Sequence, residues 1–232
     1  MDLETLYLSP VQPTFFEALE TSSGLLELFP AVWIAAEGLS SPEARTRTAA
    51  FNRLMELGAP RLSPLVSYLL ATRITDPDLP LRCQIVQALG DLLILDEHGG
   101  QTPDAVRRHM IAYLDQMRTR PVYCLLQTVI ADPTLEAHIT RLLNACPHAG
   151  THLAEIFSDR GVPLPIRRQA VHFVGQVGFL EAVPALERLA TRLESRRNGQ
   201  QSMPFAPPAG AQQDESELLP EILQTLSMLR SA

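Results

Sequence analysis

Two stretches of the chain are near copies of each other: Leu79-Pro-Leu-Arg-Cys-Gln-Ile-Val-Gln-Ala-Leu-Gly90 and Leu164-Pro-Ile-Arg-Arg-Gln-Ala-Val-His-Phe-Val-Gly175. Each reads as a helix with proline in its first turn, an arginine early, apolar residues along one face and glycine as its stop. The early arginines, Arg82 and Arg167, stand 85 positions apart. A unit that recurs in this way cannot bury its apolar face alone and must stack on its neighbours. The pattern therefore predicts an all-α fold, a right-handed α-solenoid of about five or six helical hairpins.

Helical signals follow one another along the rest of the chain. Short helices are predicted over Pro13–Leu19 and Leu25–Ala36, the second bent or restarted at Pro30. Ser41 and Pro42 read as cap and first turn of a helix that carries Ala49, Ala50, Leu54 and Leu57 on one face and ends at Gly58. Further helices are expected over Arg61–Thr72, Leu81–Leu95, Pro103–Met117 and Pro121–Ile130, and from the Asp132-Pro133 turn to Cys146. Thr151–Ser158, Ile166–Val177, Val183–Leu193 and Leu218–Leu229 complete the set, about twelve helices with no strand. The whole chain, residues 1–232, is read as a single domain, with 1–24 as an amino-terminal cap and 217–232 as a capping helix. Residues 195–216, rich in Gln, Pro, Ser, Gly and Ala, have no helical period and are read as a flexible inserted loop, either a passive insertion or a binding segment.

Composition excludes several chemistries. All 19 basic residues are arginine, so a Schiff-base lysine, a phosphate-loop lysine and a kinase-type lysine are excluded. The bias itself is most simply a mark of GC-rich coding. A formal net charge of −7 argues against general nucleic-acid binding, which depends on neutralising phosphates. The start of the sequence lacks the basic and apolar regions of a secretory signal, and no window approaches the ~18 apolar residues of a membrane span. Cys83, Cys124 and Cys146 are an odd set without a recognisable spacing, read as reduced thiols that fill the core of a cytoplasmic protein.

The segments Asp78-Leu-Pro-Leu-Arg82 through Gly90, Pro163-Leu-Pro-Ile-Arg167 through Gly175, and a looser copy from Ala44-Arg-Thr-Arg47 through Ala50 to Leu54 resemble the HEAT-repeat family over roughly residues 25–193. In that family paired helices meet at a turn containing Asp or Pro, and the second helix carries an early arginine. Two repeats of ~42 residues would put four helix steps between the two good copies, whereas the sequence shows five. One helix between Pro103 and Ser158 is therefore extra or wrongly delimited.

The resemblance places Arg47, Arg82 and Arg167 at equivalent repeat positions along one edge of the stack. It implies a structural ladder, each arginine binding turn carboxylates and carbonyls between repeats, with Asp76, Asp78 and Asp159 as candidate partners. The alternative is an exposed stripe that binds acidic peptides or phosphate through bidentate guanidinium contacts. The pairs Arg107-Arg108 and Arg196-Arg197 read as solvated surface, and if a partner is met through arginine, Arg168, Arg196 and Arg197 are the candidates. Cys146, His148, His152 and Glu155 form the one set with metal-ligand chemistry, although Pro147 interrupts it. Phe15, Phe16, Phe29, Trp33 and Tyr7 gather near the amino terminus, and a poorly capped end of a stack would self-associate.

Among HEAT-like enzymes, the iron-dependent hydroxylases use His-Glu dipeptides, and no histidine here is followed by glutamate. The alkylpurine glycosylases need a basic, aromatic concave face that an acidic chain with one Trp does not suggest. The expectation is a non-catalytic scaffold or adaptor, without a cofactor, that binds a protein or peptide on the solenoid surface. The rival is an enzyme or small-molecule binder, bilin-lyase-like or built around Cys146, His148 and His152.

Overall fold

In a computed structural model, the described residues are 29–94, 102–197 and 215–231. All their regular structure is helical. Twelve α-helices follow in order: α1 Pro30–Gly38, α2 Ala44–Glu56, α3 Ala59–Leu62, α4 Pro64–Thr72, α5 Leu79–Leu92, α6 Asp104–Leu114, α7 Thr119–Ala131, α8 Glu136–Asn144, α9 Ala149–Ser158, α10 Leu164–Val177, α11 Val183–Arg197 and α12 Leu219–Ser231. Single 3-10 turns, Arg73–Thr75, Pro133–Leu135, Leu180–Ala182 and Glu215–Leu218, lead into or out of α4, α8, α11 and α12. The amino-terminal cap expected over 1–24 and the helix expected over Pro13–Leu19 lie outside the described residues.

Local chemistry explains most boundaries. Pro30 occupies the first turn of α1, so it starts that helix rather than bending it. The helix expected over Arg61–Thr72 is two helices: Ser63 is extended, its hydroxyl accepts from Val66 N–H, and Pro64 opens α4. Asp78 caps α5 by accepting from Leu81 N–H, with Pro80 in the first turn. In α2 the buried stripe is Arg47, Ala50, Phe51 and Leu54, while Ala49 faces outward.

The two glycines that end the near copies are not stops. Gly90 lies inside α5 and Gly175 inside α10. The left-handed residue that ends α10 is Gly178, with φ of 89°. Gly90 and Gly175 instead admit another helix: a Cβ on Gly90 would lie 2.5 Å from His138 Cβ of α8, and one on Gly175 would lie 3.1 Å from Thr225 Cγ2 of α12.

Those contacts belong to a row in which α2 packs on α5, α5 on α8, α8 on α10 and α10 on α12. In a second row α4 packs on α6, and α7 packs on α9, which meets α11. Consecutive helices also pair, α1 with α2, α4 with α5, α7 with α8, α9 with α10 and α11 with α12. Among the described residues helix α6 shows no comparable pairing with either neighbour in the chain and packs on α4 instead. One cluster of buried apolar residues runs from Val32 to Leu229, with Phe157 and Phe173 among its largest fully buried members. No helix among the described residues is long and apolar enough to cross a membrane.

Helix α12 buries Leu219, Ile222, Thr225, Leu226 and Leu229 and packs against α10 and α11. The ends of the stretch expected as a loop over 195–216 are helical. Residues Ser195–Arg197 complete α11, and Glu215 and Ser216 belong to the 3-10 turn before α12. Residues 198–214 lie outside the description.

Candidate functional site

The early arginines of the three similar helices are all buried, with 6, 7 and 4% exposure at Arg47, Arg82 and Arg167. A buried guanidinium must be partnered, since leaving it dry and unpaired costs several kcal/mol, on the order of 3–5. Arg47 achieves this with two parallel bonds to Asp76, Nε and Nη2 each 2.9 Å from a carboxylate oxygen, and its Nη1 donates to the carbonyls of Ser41 and Pro42. The Asp76 bond raises its pKa, against an opposing effect of burial. Asp76 precedes α5, so this arginine of α2 ties one helical pair to the next.

Arg82 is held differently. Its Nη1 donates to Gln127 of α7 at 3.1 Å, and its buried Nε finds no partner among the described residues. Asp78 and Asp159, the other carboxylates considered for this role, have local jobs: Asp78 caps α5, and Asp159 accepts from Gly161 N–H.

Arg167 of α10 donates through Nε to the carbonyl of Phe157 at the end of α9 and through Nη2 to Glu215 at 2.5 Å. Glu215 is the centre of the densest charge cluster in the described structure. Arg192 Nη2 and Arg196 Nη1, both on α11, lie 2.6 Å from its two oxygens, and Arg160 Nε in the turn after α9 lies 3.8 Å away. Four guanidinium groups from three elements thus surround one carboxylate whose side chain is 11% exposed. Burial pushes the Glu215 carboxyl up, but the Arg167 hydrogen bond and the charges of Arg167, Arg192 and Arg196 overcome it, and the net direction is down. Arg192 shows the converse strain: burial lowers its pKa first, Glu215 opposes, and Arg160, Arg167 and Arg196 lower it further.

The same acidic stretch meets the next arginine. Arg168 Nη2 is 3.2 Å from Glu217 and its Nε 3.6 Å from Glu221. Of the residues considered for partner contact, Arg168 and Arg196 therefore already hold carboxylates of the chain itself. Arg197 is the last residue of α11, and its side chain lies outside the description. Sequence reasoning missed Glu215, Arg160 and Arg192. Glu215 sat in a stretch read as a loop, and nothing local announces a pairing across 48 positions.

Of the candidate metal ligands only His152 and Glu155 are brought together, and no group of three His, Cys, Asp or Glu suited to a metal occurs among the described residues. Cys146 is fully buried, and burial is the main cause of its raised pKa. His148 stands exposed at the start of α9. His152 Nδ1 meets Thr119 Oγ1 at 3.0 Å and Glu155 at 3.3 Å, and the Thr119 hydroxyl also donates to Glu155. This trio fastens the first turn of α7 to α9. The Thr119 bond is the largest cause of the lowered pKa of Glu155.

Comparison of the chain with family models, curated proteins and solved structures gave no match.

Proposed function

We propose that the chain is a HEAT-like α-solenoid of five helical hairpins, with α6 intercalated after the second, that serves as a non-catalytic scaffold for an acidic segment of a partner protein. The two rows of helices and the arginine that ties α2 to the turn before α5 support the solenoid reading. The intercalated α6 accounts for the fifth helix step between the near copies.

The observation that carries the functional reading is the seating of the chain's own Glu215-Ser216-Glu217 stretch on arginines of α10, α11 and the turn after α9. It is an acidic peptide bound by guanidinium groups, formed within one molecule. The side chains of Arg160, Arg168 and Arg196 keep 55, 45 and 37% exposure, so each still presents donors to solvent. A net charge of −7 over the whole chain makes this concentration of arginine a local exception that orients an acidic partner toward one end of the stack.

Fluorescence anisotropy with a labelled peptide of alternating glutamate and serine tests the reading. Saturable binding that weakens with added salt and is reduced by Arg160→Gln with Arg196→Gln is expected. Equal affinity for the double variant and for the parent would refute it.

A further inference from the structure

The charges around Glu215 do not balance. Among the described residues, Arg160, Arg167, Arg192 and Arg196 bring four positive charges within 4 Å of one carboxylate, an excess of three. Asp214, immediately before it, lies outside the description. The donors are in excess as well as the charge. Each guanidinium has five N–H groups, and of those on Arg192 and Arg196 one apiece is hydrogen-bonded to Glu215. Arg192 Nε is buried without a partner among the described residues. Both Glu215 oxygens are already engaged, Oε1 by Arg167 and Arg192 and Oε2 by Arg196 and Arg160, so the carboxylate cannot absorb the remainder.

A planar group with two oxygens is a poor match for guanidiniums that converge from the α9–α10 turn, the first turn of α10 and the last turns of α11. A tetrahedral group with three terminal oxygens and a charge of about −1.5 to −2 near neutral pH would meet more of the donors and neutralise more of the excess. We propose that Arg160, Arg167, Arg192 and Arg196 form a phosphoryl-binding site, occupied in the free protein by Glu215 as an internal carboxylate stand-in. The proposal rests on the scaffold reading and specifies it: the partner segment is phosphorylated, and its phosphate displaces Glu215. Arg167, which also grips the Phe157 carbonyl, fixes the floor of the site, and the half-exposed Arg160 and Arg196 form its mouth.

The internal competitor sets the test. Binding is measured by calorimetry with two probes, inorganic phosphate and a phosphoserine peptide, beside the same peptide with glutamate in place of phosphoserine. The parent chain, the Glu215→Gln variant and an Arg160→Gln, Arg196→Gln double variant are compared. Removing the stand-in is expected to tighten phosphoserine-peptide binding at least about tenfold, because the competent state is no longer taxed by an occupied site. The double arginine variant is expected to lose it. Should Glu215→Gln fail to fold, the parent and the double variant decide the matter through the rise in thermal midpoint with inorganic phosphate, which only the parent should show.

Glutamate-peptide binding equal to that of phosphoserine peptide overturns the phosphoryl site and leaves the acidic-segment scaffold standing. Binding of inorganic phosphate without either peptide supports the site and refutes the scaffold. Binding of no probe by parent or Glu215→Gln overturns both.

Discussion

Arg47 and Asp76, 29 positions apart, face each other through two 2.9 Å bonds with side chains only 7 and 1% exposed. Such a pair is costly to half-remove, because the survivor is left as a buried charge. Arg47→Met is therefore expected to destabilise the chain by about 3–5 kcal/mol in urea unfolding. Arg47→Met combined with Asp76→Leu should cost clearly less than the sum of the two single changes. Simple additivity would mean that the two residues do not act as a pair.

The backbone contact at Gly90 gives a contrast within one repeated motif. A methyl there would press to 2.9 Å from the His138 backbone, whereas at Gly175 its nearest contact would be the Thr225 side chain, at 3.1 Å. Alanine improves intrinsic helix propensity at both sites by about 1 kcal/mol. Gly90→Ala is nonetheless expected to lose about 1–3 kcal/mol through overpacking, and Gly175→Ala to cost distinctly less. Equal midpoints for the two variants would contradict the close approach of α5 and α8.

Acid stability reports on Glu215. Its folded pKa is depressed below the ordinary 4.5, so its contribution is fully present above that value and disappears as pH falls through the lowered folded pKa. Acid unfolding followed by circular dichroism should accordingly show a steeper loss below pH 4.5 in the parent than in Glu215→Gln. Arg167→Met, which removes the largest of the groups that lower this pKa, should move the loss to higher pH. Superimposable acid curves for parent and Glu215→Gln would show that the cluster does not hold the carboxylate.

The three thiols are unpaired and unequally covered: Cys124 and Cys146 are buried, and Cys83 is half-buried. Burial, with a smaller effect of Asp132, raises the Cys83 pKa above 9.0. Native protein should react with a disulfide reagent at Cys83 alone, slowly at neutral pH and faster as the pH rises past 9, with the other two released by denaturant. Rapid reaction of Cys146 in native protein would contradict its burial.

How far the sequence could be read follows from the range of each signal. The proline and arginine of the near copies act within one helical turn, and α5 and α10 begin within two residues of where these signals put them. Ser63-Pro64 carries the same kind of signal as Ser41-Pro42, yet the apolar run across it masked the break between α3 and α4. At the other good cue the helix itself starts later, at Ala44, while the Ser41 and Pro42 carbonyls serve Arg47. Glycine is ambiguous because one residue type serves both a left-handed end, as at Gly58 and Gly178, and a close helix crossing, as at Gly90. Only the packing partner distinguishes these. Asp76 was within reach of sequence reasoning because it sits in a turn beside an arginine-bearing helix. Glu215 was not, since tertiary structure alone brings it to the arginines of α10, α11 and the turn after α9.

The most direct test of the scaffold account is affinity capture of the tagged protein from its native cell extract at physiological salt, with bound proteins identified by mass spectrometry. The control is the same protein with Arg160→Glu and Arg196→Glu, both exposed at the mouth of the cluster. The account predicts a reproducible protein partner, carrying an acidic or phosphorylated segment, that is captured by the parent and lost from the charge-reversed control. Recovery of the same partners by both, or of the tagged protein alone each time, would contradict it.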